Sequence, residues 1–185
     1  MTLSYPSYED IQAIREQLFK ASMDHWIHHD FLSWKWWSLV GLTVIPWILW
    51  WNLVDRRRRQ PIFLFGCLMS MFAVILDNLG TDLLWWGYPD KFLPAIPPLM
   101  SADLTLIPVC YMVIYQLFPG FKSFLTATVL LGAVLAYIAE PLIFIKLDLY
   151  RLNSWKLTYS LLFYVIAALV ARFLVRTMKS EEPSA

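Results

Sequence analysis

Residues 61–82 read PIFLFGCLMSMFAVILDNLGTD, and this stretch decides what kind of protein the chain is. Pro61 to Leu76 carries no charge, and Asp77, Asn78 and Asp82 follow in quick succession. Spanning a bilayer takes roughly 20 mostly apolar residues, with a range of about 17–25. With its flanks the run reaches that length. Trp85-Trp86-Gly87-Tyr88-Pro89 then closes it with an aromatic, turn-forming cap. Ionisable groups at the end of such a run are costly in a membrane and mark it as a place to look for function.

Four runs of the same kind surround it. Trp37 to Leu53 is free of charge, Leu99 to Phe118 contains only Asp103, Ser123 to Ile145 contains only Glu140, and Leu157 to Val175 contains only Arg172. The composition agrees: 59% of residues are hydrophobic and 16% charged, with a mean hydropathy of +0.54. Soluble domains average about 45–50% apolar and about 25% charged. The expected fold is an all-α integral membrane five-helix bundle with an N-terminal amphipathic helix. Its spans are expected at about 36–54, 61–80, 99–118, 123–145 and 156–176. Residues 1–35 form a separate segment, and residues 180–185 a short tail. The lipid bilayer is the expected partner. A net charge of +1 provides no field for nucleic acid, while a protein partner or a second copy remains open. Cys67 and Cys110 fall inside apolar runs, as buried thiols would, and no CxxC or Cys/His zinc spacing occurs.

The first 35 residues lack the charged start and short apolar core of a cleavable signal peptide, so targeting is expected from the first spanning helix. Ser7-Tyr8-Glu9-Asp10 resembles a capping box. Ile11, Ile14, Leu18 and Trp26 then recur at helical spacing, with Glu9, Gln12, Glu16 and Lys20 largely elsewhere. These features predict an amphipathic helix from about Tyr8 to His29, lying on the membrane or on the bundle.

Arg56 to Arg59 sits directly after the first run, and the positive-inside tendency makes that loop cytoplasmic. The N-terminus is then outside and the C-terminus inside, in a bacterial cytoplasmic membrane. Lys122, Arg172, Arg176 and Lys179 bring the inner basic residues to eight, against seven outside. The assignment therefore rests on the concentration of four arginines beside the first run. Tryptophans 36, 37, 47, 50, 51, 85, 86 and 155 lie near run ends, as interfacial anchors do.

At 1.5 Å per helical residue, Asp77, Asp103 and Glu140 lie roughly 25, 22 and 27 Å from the inner ends of their helices. Against a hydrocarbon core of about 30 Å, all three fall in one outer layer. Asp82 lies more than a turn further out, and Asn78 shares a helical face with it. Acids at that depth face a bundle interior or a wet cavity, where they pair, stay protonated or hold a cation. Pro108 and Pro141 interrupt their helices near the acids. Asp103, Ile107, Tyr111 and Tyr115 recur at four-residue steps, which puts an acid and two phenols on one face. Four prolines in Tyr88–Pro98 make that loop stiff enough to serve as a lid. The candidate ligand or ion site is therefore Asp77, Asn78, Asp82, Asp103, Tyr111 and Glu140.

Three readings of that layer stay open. It binds or moves a proton, a cation or a cationic small molecule; it serves a membrane enzyme acting on a lipid or envelope precursor; or it is structural, in a non-enzymatic assembly partner. No P-loop or GxSxG motif occurs, which disfavours nucleotide-driven pumps and common hydrolases. No catalytic residue is assigned, and the sequence requires no cofactor. His25, His28 and His29 have the spacing that puts imidazoles on one helix face, so a mononuclear zinc or other divalent site completed by acids is a further candidate. HxxHH also resembles one histidine box of membrane desaturases, but those enzymes need several boxes for a di-iron centre, and this chain has three histidines in total.

The combination of Ile45-Pro46-Trp47, Leu76-Asp77-Asn78, Trp86-Gly87-Tyr88-Pro89, Ile96-Pro97-Pro98, Asp103-Leu104, Pro108 to Met112, Tyr115-Gln116 and Ala139-Glu140-Pro141 resembles an uncharacterised family of small multi-pass membrane proteins common in spore-forming Firmicutes. The resemblance covers about residues 36–175. It implies membrane location and fold, and it carries over no catalytic residues.

Overall fold

The computed structural model describes residues 5–96 and 99–180. Pro97 and Pro98 of the proline-rich loop, the side chain of Lys179 and the tail from residue 181 lie outside the described residues. The described chain is all-helical apart from one two-stranded ribbon. Helix α1 spans Tyr8–His25 and continues as a π-helical turn, Trp26–Asp30. It starts on the expected capping box: Ser7 Oγ accepts from the Asp10 amide at 3.1 Å, and Asp10 Oδ2 accepts from the Ser7 amide at 2.8 Å. Ile11, Ile14, Leu18 and Phe19 stay exposed, and among the described residues the partly buried positions of α1 are confined to its last turn, at Ser22 and Met23.

Helix α2 spans Trp34–Leu53, α3 Arg59–Asp82, α4 Ala102–Leu117, α5 Phe121–Ile145 and α6 Leu157–Ser180. Three stretches, Arg59–Asp82, Phe121–Ile145 and Leu157–Met178, are long and apolar enough to cross a membrane. Helix α4 is shorter, and the tryptophans and Asn52 of α2 lower its hydropathy. Successive helices run antiparallel. At one end Arg58 donates to the Gln116 carbonyl at 2.9 Å, while Arg172 donates to the carbonyls of Phe118 and Pro119 at 3.2 and 2.6 Å. Helices α3, α4, α5 and α6 pack in that order into a closed ring, α6 returning to α3. Helix α2 lies outside the ring against the start of α4, where Ser101 Oγ donates to the Leu39 carbonyl and Thr105 Oγ1 to that of Leu42.

Prolines explain two irregular stretches. Pro108 and Pro141 have no amide proton to return to the preceding turn. The chain widens into π-helix over Ala102–Leu106, just ahead of Pro108, and over Leu135–Ile145, around Pro141. Asp103 and Glu140 both sit in these widened turns. A third π-turn, at Trp26–Asp30, has no proline to announce it, and it carries a buried acid as well, Asp30.

The end opposite the arginines is closed by a small lid. Strand β1, Trp86–Gly87, pairs antiparallel with β2, Arg151–Leu152, in the register Trp86 to Leu152 and Gly87 to Arg151. The Trp85 carbonyl accepts from the amides of Asn153 and Ser154 at 2.9 and 3.1 Å, and Asn153 Nδ2 donates to the Leu84 carbonyl. The two loops that follow α3 and α5 are thereby stitched into one cover. The cysteines are free; Cys110 is half-buried, but Cys67 is exposed on the outer face of α3 rather than buried as expected, because the ring buries the Phe65–Gly66 face instead.

Candidate functional site

Inside the four-helix ring, just beneath the lid, lies a cavity of about 90 Å³. Each ring helix contributes to its wall, and α3, α4 and α5 each send in one acid: Asp77, Asp103 and Glu140. The three carboxyls that sequence depth placed in one layer thus line one space. They are buried, at 4%, 6% and 8% exposure. Apart from Ser160, the rest of the wall is aliphatic and aromatic, with Trp86, Tyr88, Tyr150 and Trp155 supplied by the lid.

The acids differ in how they are held. Asp77 Oδ1 accepts from Trp86 Nε1 at 2.7 Å and from the Tyr88 hydroxyl at 2.5 Å; Oδ2 accepts from the Leu99 amide at 3.0 Å. Glu140 accepts from the Tyr164 hydroxyl at 3.0 Å and from Ser160 Oγ at 3.1 Å, and Ser160 in turn accepts from Trp155 Nε1 at 3.0 Å. Asp103 lines the same cavity as Asp77, and its Oδ2 is buried with no hydrogen-bond partner among the described residues. A buried acceptor left in this state costs about 1–3 kcal/mol, more if charged. A donor or a cation arriving in the cavity removes that cost.

The lid phenols add a fixed polarity. Burial and then the charges of Asp77 and Asp103 push the Tyr88 hydroxyl well above the usual phenol range, so it stays a donor. Burial, and then the charges of Glu140, Asp77 and Asp103, push the Tyr150 hydroxyl above the usual phenol range, and Tyr150 lines the same cavity as all three acids. It stacks on Tyr88 with ring centres 5.5 Å apart. Lys91 is half-buried just outside, within electrostatic reach of Asp77 and of Asp30, and burial lowers its ammonium below the ordinary lysine value.

Other expected site residues lie elsewhere. Asn78 donates to the Val74 carbonyl along its own helix at 2.7 Å, and Asp82 is exposed at the end of α3. Neither lines the cavity, because only every third or fourth residue of α3 faces the ring. Tyr111 is fully buried and packs on Tyr164, but the wall on α4 ends one turn earlier, at Ile107; its hydroxyl has no partner among the described residues. Tyr115 stacks on Phe65 still further from the lid. Trp86 and Trp155, expected as interfacial anchors, are part of the site. Ser160, Tyr164 and Tyr150 went unremarked in the sequence. Of these, Ser160 and Tyr164 sit four apart on α6, a spacing that puts two hydroxyls on one face.

The histidines divide. His28 Nδ1 faces Asp24, with the Asp24 carbonyl at 2.9 Å. His25 Nε2 and His29 Nδ1 both face Asp30 Oδ1, at 3.3 and 3.0 Å.

No protein-family model matches the chain, and no curated protein or solved structure is similar enough to suggest its activity by likeness.

Proposed function

We propose that the chain is a five-span membrane protein of the small multi-pass family it resembles, with its N-terminus outside, and that its lid-covered cavity binds a cation from the outer side. The occupant that suits the wall best is a small organic ammonium. Three carboxyls supply charge, and aromatic faces such as Trp86 and Trp155 favour a cation beside apolar surface. At about 10–15 Å³ per water, the cavity takes several waters or one such ion. The observation that carries this reading is the convergence of Asp77, Asp103 and Glu140, from three helices, on one cavity where Asp103 Oδ2 has no partner among the described residues.

Titrating phenethylammonium and tetramethylammonium chloride into the purified protein tests it. Saturable binding is expected, and for phenethylammonium, which has N–H donors, it is weakened by roughly tenfold or more in Asp103→Asn, since a hydrogen bond to a charged group is worth about 1.5–3 kcal/mol. Wild-type protein that binds neither probe contradicts the reading. The full hydrogen bonding of Asp77 and Glu140 favours one alternative, in which the acids only hold an assembly partner together. That alternative predicts loss of the folded protein in both Asp77→Asn and Glu140→Gln, whereas the binding reading keeps both folded.

A further inference from the structure

The π-turn at the end of α1 builds a second constellation, outside the ring. Its widened turn is closed by the Phe31 amide on the Trp26 carbonyl at 2.8 Å. This i to i+5 step brings residues four and five apart onto one face. His25 and His29 stack with ring centres 4.7 Å apart, and both point a nitrogen at Asp30 Oδ1. One ligand atom from each of these three residues falls within 4.8 Å of the others.

Both nearby carboxylates are fixed from behind. Asp30, 2% exposed, has Oδ2 occupied by the Lys91 amide at 3.1 Å, which leaves Oδ1 to the imidazoles. Asp90, 3% exposed, has Oδ2 occupied by Lys35 Nζ at 2.6 Å, and its Oδ1 lies 3.6 Å from His29 Nδ1. Donors that hold one oxygen and aim the other are the outer-shell support that orients metal ligands. Tetrahedral zinc with nitrogen and oxygen ligands at about 2.0–2.1 Å sets those ligands about 3.4 Å apart. The 3.0, 3.3 and 3.6 Å separations lie near that value, while the three atoms from His25, His29 and Asp30 together span up to 4.8 Å, so the two imidazoles draw closer on binding.

We propose that His25, His29 and Asp30, with Asp90 as the fourth donor, bind a divalent cation of the zinc class. Two imidazoles and two carboxylates suit zinc, whereas magnesium and calcium prefer all-oxygen shells. The site ties three pieces together: α1, the loop carrying Asp90 and Lys91, and α2 through Lys35. A cavity beside it is lined by His25, Asp30, Lys91 and Tyr88, and Tyr88 also lines the carboxylate cavity. The metal therefore fastens the N-terminal helix to the lid. The proposal stands whatever occupies the carboxylate cavity.

Zinc chloride titrated into purified, chelator-stripped protein tests it. One zinc per chain is expected, with a Kd below about 10 μM, unaffected by excess magnesium. His25→Ala and His29→Ala each weaken uptake by roughly tenfold or more, while His28→Ala leaves it unchanged. Asp30 also anchors the Lys91 amide, so Asp30→Asn can fail to fold; the two exposed histidines keep the test decisive. No uptake by the wild type leaves only a histidine–carboxylate ion pair and overturns the proposal. So does uptake that survives the double His25→Ala/His29→Ala change, or that falls equally in His28→Ala.

Discussion

Gly80 shows how tightly single positions constrain the carboxylate cavity. A Cβ there would collide with the Trp86 ring, the same indole that donates to Asp77. Gly80→Ala is expected to push Trp86 off Asp77 and to lower stability by about 1–3 kcal/mol, as overpacking does, measurable by thermal unfolding in detergent. An unchanged melting temperature would mean that the indole moves freely and is no fixed part of the wall. At this scale the acids were legible in the sequence and their partners were not. Asp77, Asp103 and Glu140 stand out because a carboxylate in an apolar run is anomalous. Tyr88 stands out in sequence only as part of the aromatic cap, Tyr150 and Ser160 are unremarkable there, and all three gain their roles only when distant segments meet. Asn78 and Asp82 share the helix of Asp77 but not its inward face, which an uncertain helical phase could not separate.

Elements were read more fully. The capping box of α1, the helix boundaries and the breaks near Pro108 and Pro141 all follow from local chemistry. Asp103 and Glu140 ride on the π-turns those prolines accompany, but the π-turn before Phe31 has no such marker, so the pairing of His25 and His29 with Asp30, to the exclusion of His28, was out of reach. The ribbon between β1 and β2 was missed too, since two-residue strands carry no periodicity. Three turns near the lid use left-handed non-glycine residues, Leu32, Leu84 and Asp148, with φ of 61°, 55° and 56°. Leu84 ends α3, where the Trp85 amide returns to the Gly80 carbonyl at 2.8 Å. A glycine serves this position without the left-handed cost. Leu84→Gly, at a side chain 72% exposed, is therefore expected to raise unfolding stability by about 1 kcal/mol. A loss of stability would show instead that the leucine side chain anchors the lid.

For the whole molecule, a closed ring with a basic end and an acidic, aromatic end follows from antiparallel helices that alternate their polar termini. Arginines from the start of α3 and the end of α6 meet carbonyls at the end of α4, and the acids meet indoles and phenols under the lid. Under the proposed function this polarity becomes a sided, cation-selective entrance. A clustered charge with low-dielectric walls raises local counter-ion concentration and encounter rates by about 10–10³. The most direct test places a single cysteine on the wall, as Ala139→Cys, with Cys67 and Cys110 replaced by alanine. It then compares the rates of modification by membrane-impermeant cationic and anionic methanethiosulfonates in intact cells. The cationic reagent is expected to react from outside at least about tenfold faster, with Asp103→Asn eroding the difference. Equal rates for the two reagents, or reaction only in inside-out vesicles, would contradict it.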